Sequence, residues 1–415
     1  MQHLLKDDPK LAGLVKLEED RIEQTINLIA AENNPPPSIM ELMGSVFNMK
    51  TIEGYPGKRF HAGCEYVDEV ERLAIARALE LFGAEYANVQ PHSGTSANLA
   101  VYFSVLEVGD KILSMSLPHG GHLSHGHKAS MTSKCFTFEH YSVDEETELI
   151  DYDLVHEKAC AFKPKMIVAG ASSYPRLIDY KKMAEIAADV SAYLLADIAH
   201  LSGLVAGNVI PSPVPHCDFV TFTCYKTLRG GRGGVILAKD KYGKKLNSAV
   251  FPGGQGTSAV NLIAAKALAF KLAMEPGFPE SQQKTLDLAV YLGQRLQEKG
   301  YRLVTGGSEN HQVVVDLSNK GISGSKAEKT LEAAGIILNR NVIPRDAHSP
   351  GKVSGLRIGT GALAARGMDT AEVDRIVDWM DTLLCDPENA DNHAEIKAAV
   401  EKLSTQFPIY RGSGH

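Results

Sequence analysis

Tyr193-Leu194-Leu195-Ala196-Asp197 and the later run Phe219-Val220-Thr221-Phe222-Thr223-Cys224-Tyr225-Lys226 decide how this chain is read. Each is a short apolar run closing on a charged residue. Runs of this length, rich in aliphatic and aromatic residues, read as buried strands. Asp197 then stands at the carboxyl end of one core strand and Lys226 just past the end of another. Open α/β sheets keep their ligands along that edge.

The same pattern extends outward. Between about residues 51 and 274, further apolar runs at 87–89, 112–115, 166–168 and 235–238 alternate with helical stretches such as 67–81 and 182–188. Such alternation predicts an α/β fold with a mostly parallel sheet covered by helices. Beyond Gly277-Phe278-Pro279 the pattern restarts with a helix at 283–299, a strand at 312–317, a helix at 325–334 and a strand at 355–358, a smaller α+β domain. Upstream, apolar residues at helical spacing over 11–30 stop at Asn33-Asn34-Pro35-Pro36-Pro37, which reads as an arm plus a hinge. The expected organisation is an N-terminal arm over 1–50, a large domain over 51–275 and a small domain over 276–411. Residues 412–415 read as an appended tail outside the fold.

Composition narrows the function. With 415 residues and 44% hydrophobic content the chain can bury a large core, and its length suggests two domains. Forty-three basic residues against 50 acidic ones, a net charge of -7, leave no electrostatic footprint for nucleic acid. The six cysteines are scattered, with no zinc-knuckle or redox-pair spacing, and read as reduced thiols. No segment offers the run of about 18 apolar residues that a membrane span needs, and the first residues carry no apolar signal core. The cytoplasm is the expected location.

Asp197 and Lys226 suit a pyridine cofactor bearing an aldehyde: an acid keeps the ring nitrogen protonated, and an amine forms the Schiff base. Thr223 and Thr227 flank the lysine. His92-Ser93-Gly94-Thr95-Ser96-Ala97-Asn98 follows the run at 87–89 and opens a helical stretch, placing hydroxyls and free amides where a phosphate would lie. Taken singly, Asp197 reads equally as a helix cap, Lys226 as a solvated loop charge and Ser93 to Thr95 as a plain N-cap. Their order on successive strand ends favours the cofactor.

Several longer stretches carry a resemblance: Glu53-Gly54-Tyr55-Pro56-Gly57-Lys58-Arg59, Gly63-Cys64-Glu65-Tyr66-Val67-Asp68, residues 86–94, His119-Gly120-Gly121-His122-Leu123, residues 246–256 and Ser354-Gly355-Leu356-Arg357. From about residue 26 to 410 the chain resembles the serine hydroxymethyltransferase family, fold-type I enzymes dependent on pyridoxal 5'-phosphate. The resemblance implies that Lys226 carries the cofactor, Asp197 pairs with the pyridine nitrogen and His122 stacks on the ring. It puts His200 and Ser172 on the phenolic-oxygen side, has Ser93, Gly94 and Thr95 hold the phosphate, and adds Thr51, Thr223 and Gly256 to the cofactor contacts. Arg357 matches the residue that takes the substrate carboxylate in a bidentate fork. Glu53 matches the proton-handling carboxylate, supplied by the neighbouring subunit of a homodimer with shared sites, as is Phe60. A tetramer is compatible with the same pattern. Phe60, Leu117, Gly121, Leu123 and Asn341 match positions that hold tetrahydrofolate, the expected co-substrate. The implied activity moves the serine hydroxymethyl group to tetrahydrofolate, leaving glycine.

Four active-site positions depart from the family pattern. Tyr225 stands where a histidine is usual, His61 and Thr51 each replace a tyrosine, and Ala31 replaces a serine. Phe60 for tyrosine keeps a stacking face; Gly351 loses an aromatic; Gly231 and Thr257 replace a proline and a glycine near the phosphate end. Tyr225 and His61 therefore join the candidate catalytic residues, and Ala31 and His61 the substrate contacts. Histidine titrates near ~6.5 and tyrosine near ~10, so these changes alter proton traffic as well as pocket shape. They leave open a preference for alpha-methylserine, or a folate-independent threonine aldolase, transaldolase or racemase. A non-catalytic binding homologue is the alternative of another class, though Lys226, Asp197, Glu53 and Arg357 all survive. His119, His122 and His125 fix no metal geometry, so no metal is expected. Gly359-Thr360-Gly361-Ala362-Leu363-Ala364 mimics a dinucleotide fingerprint but leaves too little chain after it for a nucleotide-binding half.

Overall fold

The computed structural model describes residues 2–346 and 352–410. The large domain is built on seven strands: β1 (Tyr86–Asn88), β2 (Lys111–Met115), β3 (Thr137–Tyr141), β4 (Met166–Gly170), β5 (Tyr193–Asp197), β6 (Phe219–Thr223) and β7 (Gly234–Ala238). Their order across the sheet is β1-β7-β6-β5-β4-β2-β3. Only β7 runs against its neighbours; the pairs β6-β5, β5-β4, β4-β2 and β2-β3 are parallel. Strands β4, β6 and β7 are buried along their whole length, and β5 apart from Tyr193, as a sheet covered on both faces requires. Helices α1 (Glu65–Phe82), α2 (Gly94–Val105) and α3 (Val260–Ala273) are among those that cover it. Strand β3 was not visible in the sequence pattern. It is an edge strand whose alternate residues face solvent, with Glu139 and His140 interrupting any apolar run.

A long helix, α4 (Gly277–Glu298), joins the two domains. Near its start, buried Gln282 donates to the Thr227 carbonyl at 3.0 Å, while Leu288, Leu292 and Leu296 sit in the core of the small domain. That core lines an antiparallel sheet of β8 (Arg302–Leu303), β9 (Gln312–Asp316), β10 (Asn339–Asn341) and β11 (Gly355–Gly359), in the order β8-β9-β11-β10. A second seam crosses from the large domain through Glu148, which accepts from both terminal nitrogens of Arg302 at 3.0 Å and from the Thr305 amide at 2.8 Å.

The arm differs from expectation. The helical spacing of apolar residues runs over 11–30, but the helix Pro9–Gln24 ends early, Thr25 is extended, and Ile26–Asn27 forms a strand parallel to Ile336–Ile337. The β-branched pair Thr25-Ile26 favours extension. Pairing then wins: the Ile26 amide donates to the Gly335 carbonyl at 2.9 Å, and the Leu28 amide to Ile337 at 2.7 Å. Ile26 and Leu28 become wholly buried members of the small-domain core, so this part of the arm belongs physically to that domain. Farther on, Ile39 packs on Ala265 and Ala269 of α3. The appended tail lies outside the described residues, as does Gly351.

Candidate active site

Strand ends of the large sheet converge on a cleft lined by Ser93, Gly94, Thr95, His122, His125, Ser172, Asp197, His200, Thr223, Tyr225 and Lys226, among others. Asp197, the last residue of β5, is buried. Its Oδ2 accepts from Asn98 Nδ2 at 2.8 Å and faces His125 Nε2 at 2.9 Å; its Oδ1 accepts from the Ala199 amide at 3.0 Å. Burial alone would raise this carboxyl, but the His125 hydrogen bond, the electrostatic pull of the His125 and His122 rings, and Asn98 together hold it far below the usual carboxylate range. The site thus keeps a fixed negative charge at the end of the sheet.

Lys226 lies just past β6. Burial lowers its amine to about 8, against the raising pull of Asp197 and with a smaller lowering push from Arg357. Among the described residues its Nζ has no hydrogen-bond partner. An amine close to neutrality with no partner is suited to attack a carbonyl. His122 is pushed down to about 4, chiefly by burial and then by His125, so its ring is neutral. The Ser124 amide donates to His122 Nδ1 at 3.2 Å, fixing the ring's orientation.

At the start of α2, Ser93 is the N-cap. Its hydroxyl accepts from the Ser96 amide while the Ser96 hydroxyl accepts from the Ser93 amide. That capping box leaves the amides of Gly94 and Thr95 aimed outward at a helix start, an anion site. These residues fit pyridoxal phosphate: an anion cradle, a carboxylate held ionised and a partnerless amine line one cleft.

Arg357, in β11, is half-buried, and its desolvation lowers its guanidinium to about 10 and leaves it charged at neutral pH. Nη1 donates to the Ser172 carbonyl at 2.9 Å and Nε to Asn339 Oδ1 at 3.2 Å; Nη2 has no partner among the described residues. Ser172 in turn donates its amide to Gly120 at 2.7 Å, tying the arginine to the segment that carries His122. In that segment Gly121 admits no other residue, because a Cβ would meet the Met115 carbonyl at 2.3 Å. Leu117 is half-buried and Leu123 exposed on either side of it. Asn341 sits in β10, paired with Gly355, with its side-chain amide on the Val342 carbonyl at 2.6 Å.

His200 Nδ1 lies 3.3 Å from His311 Nε2, which is also 3.2 Å from the Ala30 carbonyl. Ala31 is the next residue, so the substrate position read in the arm hangs on a histidine pair joining both domains. Burial leaves both rings neutral, His311 at about 3.

The remaining sequence candidates stand elsewhere in the chain. Thr51, Glu53, Phe60, His61 and Gly256 do not line the cleft. They form a second group, built on the hairpin 54–59 and the loop after α-helical Gly243–Ser248. The Ile52 amide donates to Thr257 Oγ1 at 2.8 Å, and the Phe60 ring packs edge-on against Phe251 at 5.6 Å. Thr51, Phe60, His61 and Gly256 are exposed, Phe60 to 74%. Buried Arg59 braces this group: Nη1 donates to the carbonyls of Ile52 and Gly54, on either side of Glu53, while Nε and Nη2 reach Asp68 and Glu71.

His125 and Asn98 escaped the sequence reading as site residues. His125 was weighed only as one of three metal ligands, yet its ring backs Asp197. Among the described residues no cluster of three or more potential metal ligands occurs, and no helix is long and apolar enough to cross a membrane. Comparison with known proteins agrees with this geometry. The family model described as serine hydroxymethyltransferase matches residues 4–380. A curated serine hydroxymethyltransferase of Methanosarcina barkeri (strain Fusaro / DSM 804) is 49% identical over 411 residues, covering 99% of this chain and 100% of that protein. A strand-end cleft made for pyridoxal phosphate and a match along nearly the whole chain lead to one conclusion: this chain belongs to the serine hydroxymethyltransferase family, pyridoxal-phosphate-dependent transferases that use tetrahydrofolate as co-substrate.

Proposed function

We propose that the chain interconverts serine and glycine through two half-sites, the cleft of one subunit and the exposed 51–61 group of another. The observation that carries this reading is the cleft itself, where ionised Asp197 and the partnerless Lys226 amine lie at neighbouring strand ends beside the Ser93 cap. When bound, pyridoxal phosphate supplies an electron sink for the pair left on the substrate alpha carbon. Ser93, Gly94 and Thr95 hold its phosphate, Asp197 keeps its ring nitrogen protonated, His122 covers its ring, and Thr223, Ser172 and His200 complete the contacts. Arg357 takes the substrate carboxylate with the nitrogen that no group among the described residues uses. Glu53 from the neighbouring subunit removes the proton from the side-chain hydroxyl of serine as the carbon-carbon bond opens. Thr51 and Gly256 reach the cofactor from that side too. Phe60, Leu117, Gly121, Leu123 and Asn341 hold the folate.

The homodimer is supported by what one chain leaves exposed. Val46, Met49, Phe60 and Tyr66 are each at least 74% exposed around the second group, and Leu11, Leu14 and Leu17 face solvent along the helix Pro9–Gln24. Apolar surface on this scale marks a contact site. Purified protein given serine and tetrahydrofolate should form glycine, and Lys226→Ala should not. Equal glycine from both proteins would overturn the assignment.

A second reading is favoured by Tyr225. It lines the cleft beside Lys226, with the Arg232 guanidinium 4.5 Å from its ring centroid. With Ala31 and His61 it reshapes the amino-acid side of the pocket, which supports an alpha-methyl substrate such as alpha-methylserine in place of serine.

A further inference from the structure

Helix α3 is apolar along most of its length, yet Lys266 in its middle is only 1% exposed. Its ammonium donates to three backbone carbonyls, Val89 at 2.6 Å, Gly234 at 2.9 Å and Pro91 at 3.1 Å. No carboxylate pairs with it among the described residues. A buried cation held only by carbonyls is costly, and its position suggests what offsets the cost.

The three carbonyls belong to the two chain segments that frame the phosphate cradle. Val89 and Pro91 lead out of β1 into Ser93, and Gly234 opens β7. The Gly234 amide also donates to Pro91 at 2.9 Å, so one carbonyl is held from both sides. Approach is so close at Gly233 that a Cβ there would meet Lys266 Cε at 2.3 Å. An ammonium has three protons for these three carbonyls. A neutral amine has two, so losing the charge orphans one of them.

We propose that Lys266 is a positioning residue for the cofactor phosphate: it sets the 89–93 turn from beneath and lends positive charge, through that turn, to the dianion held by Ser93, Gly94 and Thr95. This rests on the cradle reading above. The groups facing Lys266 do not remove the need for that dianion. Glu71 of α1 is already engaged by Arg59 and Gln90, Arg77 of α1 donates to the Ala267 carbonyl, and Cys224 is a buried thiol pushed up to about 12.

The test compares two ligands on apoprotein, pyridoxal phosphate and pyridoxal, each followed by absorbance and by thermal melting. Wild type should bind the phosphorylated form much the tighter; equal affinities would end the cradle reading itself. Lys266→Met should weaken pyridoxal phosphate by about tenfold while leaving pyridoxal within twofold, even though the apoprotein melts lower once three buried carbonyls lose their donor. An equal loss for both ligands would mean a merely structural lysine, and no loss would mean an idle one; either overturns the proposal. Should Lys266→Met not fold, wild type decides alone. Burial lowers the Lys266 amine to about 8, so the preference for the phosphorylated ligand should fall as pH rises from 7 to 10. Lys226 titrates in the same range but acts on the aldehyde of both ligands, and it cancels in the ratio once each affinity is corrected at every pH for the free-aldehyde fraction, because pyridoxal closes partly to an internal hemiacetal. A preference that stays flat across that range would refute the proposal.

Discussion

The cleft and the 51–61 group contrast sharply within one chain. The cleft is electrostatically complete: Asp197 is braced by His125 and Asn98, Arg357 by Ser172 and Asn339, with Asp197 and Lys226 on or just past strand ends of the large sheet and Arg357 reaching in from the middle of β11. The second group is braced as firmly, by Arg59 against Asp68 and Glu71, but it presents Phe60 and His61 to solvent with nothing to act on. Rigid residues held in place on an exposed surface are pre-organised for something outside the chain. The difference is the one the shared-site proposal requires: one chain holds a cleft and, apart from it, an exposed braced group that the proposal brings to a partner's cleft.

The largest expected effect falls on the cleft. Lys226→Ala should lower glycine formation by at least about a thousandfold, and borohydride should label Lys226 in the wild-type holoprotein. Label on another lysine would break the assignment of the cleft. The comparison itself is broken or sharpened by mixing. Lys226→Ala and Glu53→Gln chains, each nearly inactive alone, should regain about a quarter of wild-type activity when unfolded and refolded together, because half the dimers then carry one intact shared site. No recovery, with heterodimers shown by mass spectrometry, would place Glu53 in its own chain's site.

How much of this was legible in the sequence follows from the same contrast. Strand-end placement is a local signal, so Asp197, Lys226 and the Ser93 cap could be read from short runs. His125 and Asn98 act only through Asp197, from positions distant in the chain, and nothing in their neighbourhoods announces it. The clustering of Thr51 with Gly256 depends on a tertiary hydrogen bond from Ile52 to Thr257. The arm's strand was hidden because Ile26 and Ile29 continue a helical spacing that pairing with Ile336–Ile337 overrides. Lys266 was hidden by an apolar helix that gave no reason to look for a charge.

A smaller effect is expected for the group behind Asp197. His125→Ala should leave the carboxylate with Asn98 and the Ala199 amide, still ionised but less well oriented, and should lower activity on the order of tenfold. The absorbance of the bound cofactor should shift, since the protonation of its ring nitrogen then weakens. An unchanged spectrum would mean that His125 only fills space. Capture of the cofactor by apoprotein offers a pH test with a definite sign. The Lys226 amine sits at about 8, and only its unprotonated form attacks a carbonyl. The capture rate should therefore rise with pH below about 8 and level off above it; a rate that falls over that span would contradict the depressed amine.

The smallest expected effect sharpens the comparison most, because it asks whether the two half-sites touch. Tyr225 lines the cleft, whereas His61 is exposed in the second group of the same chain. If sites are shared, Tyr225 of one subunit and His61 of the other face the same substrate. Tyr225→His and His61→Tyr should then each change the ratio of activity on serine to that on alpha-methylserine by a few-fold. Residues that share a site couple, whereas distant ones add, with interaction energies of roughly 0.5–3 kcal/mol in coupled pairs. The double variant should accordingly depart from the product of the single effects, toward serine, and the departure should need tetrahydrofolate only if Phe60 beside His61 holds it. A panel of serine, alpha-methylserine, D-alanine, threonine and allo-threonine, with and without tetrahydrofolate, measures all of this. Strict multiplicativity of the two changes would show that His61 never reaches the pocket containing Tyr225. Serine at the head of the panel for all four proteins would show that the departures leave substrate choice untouched.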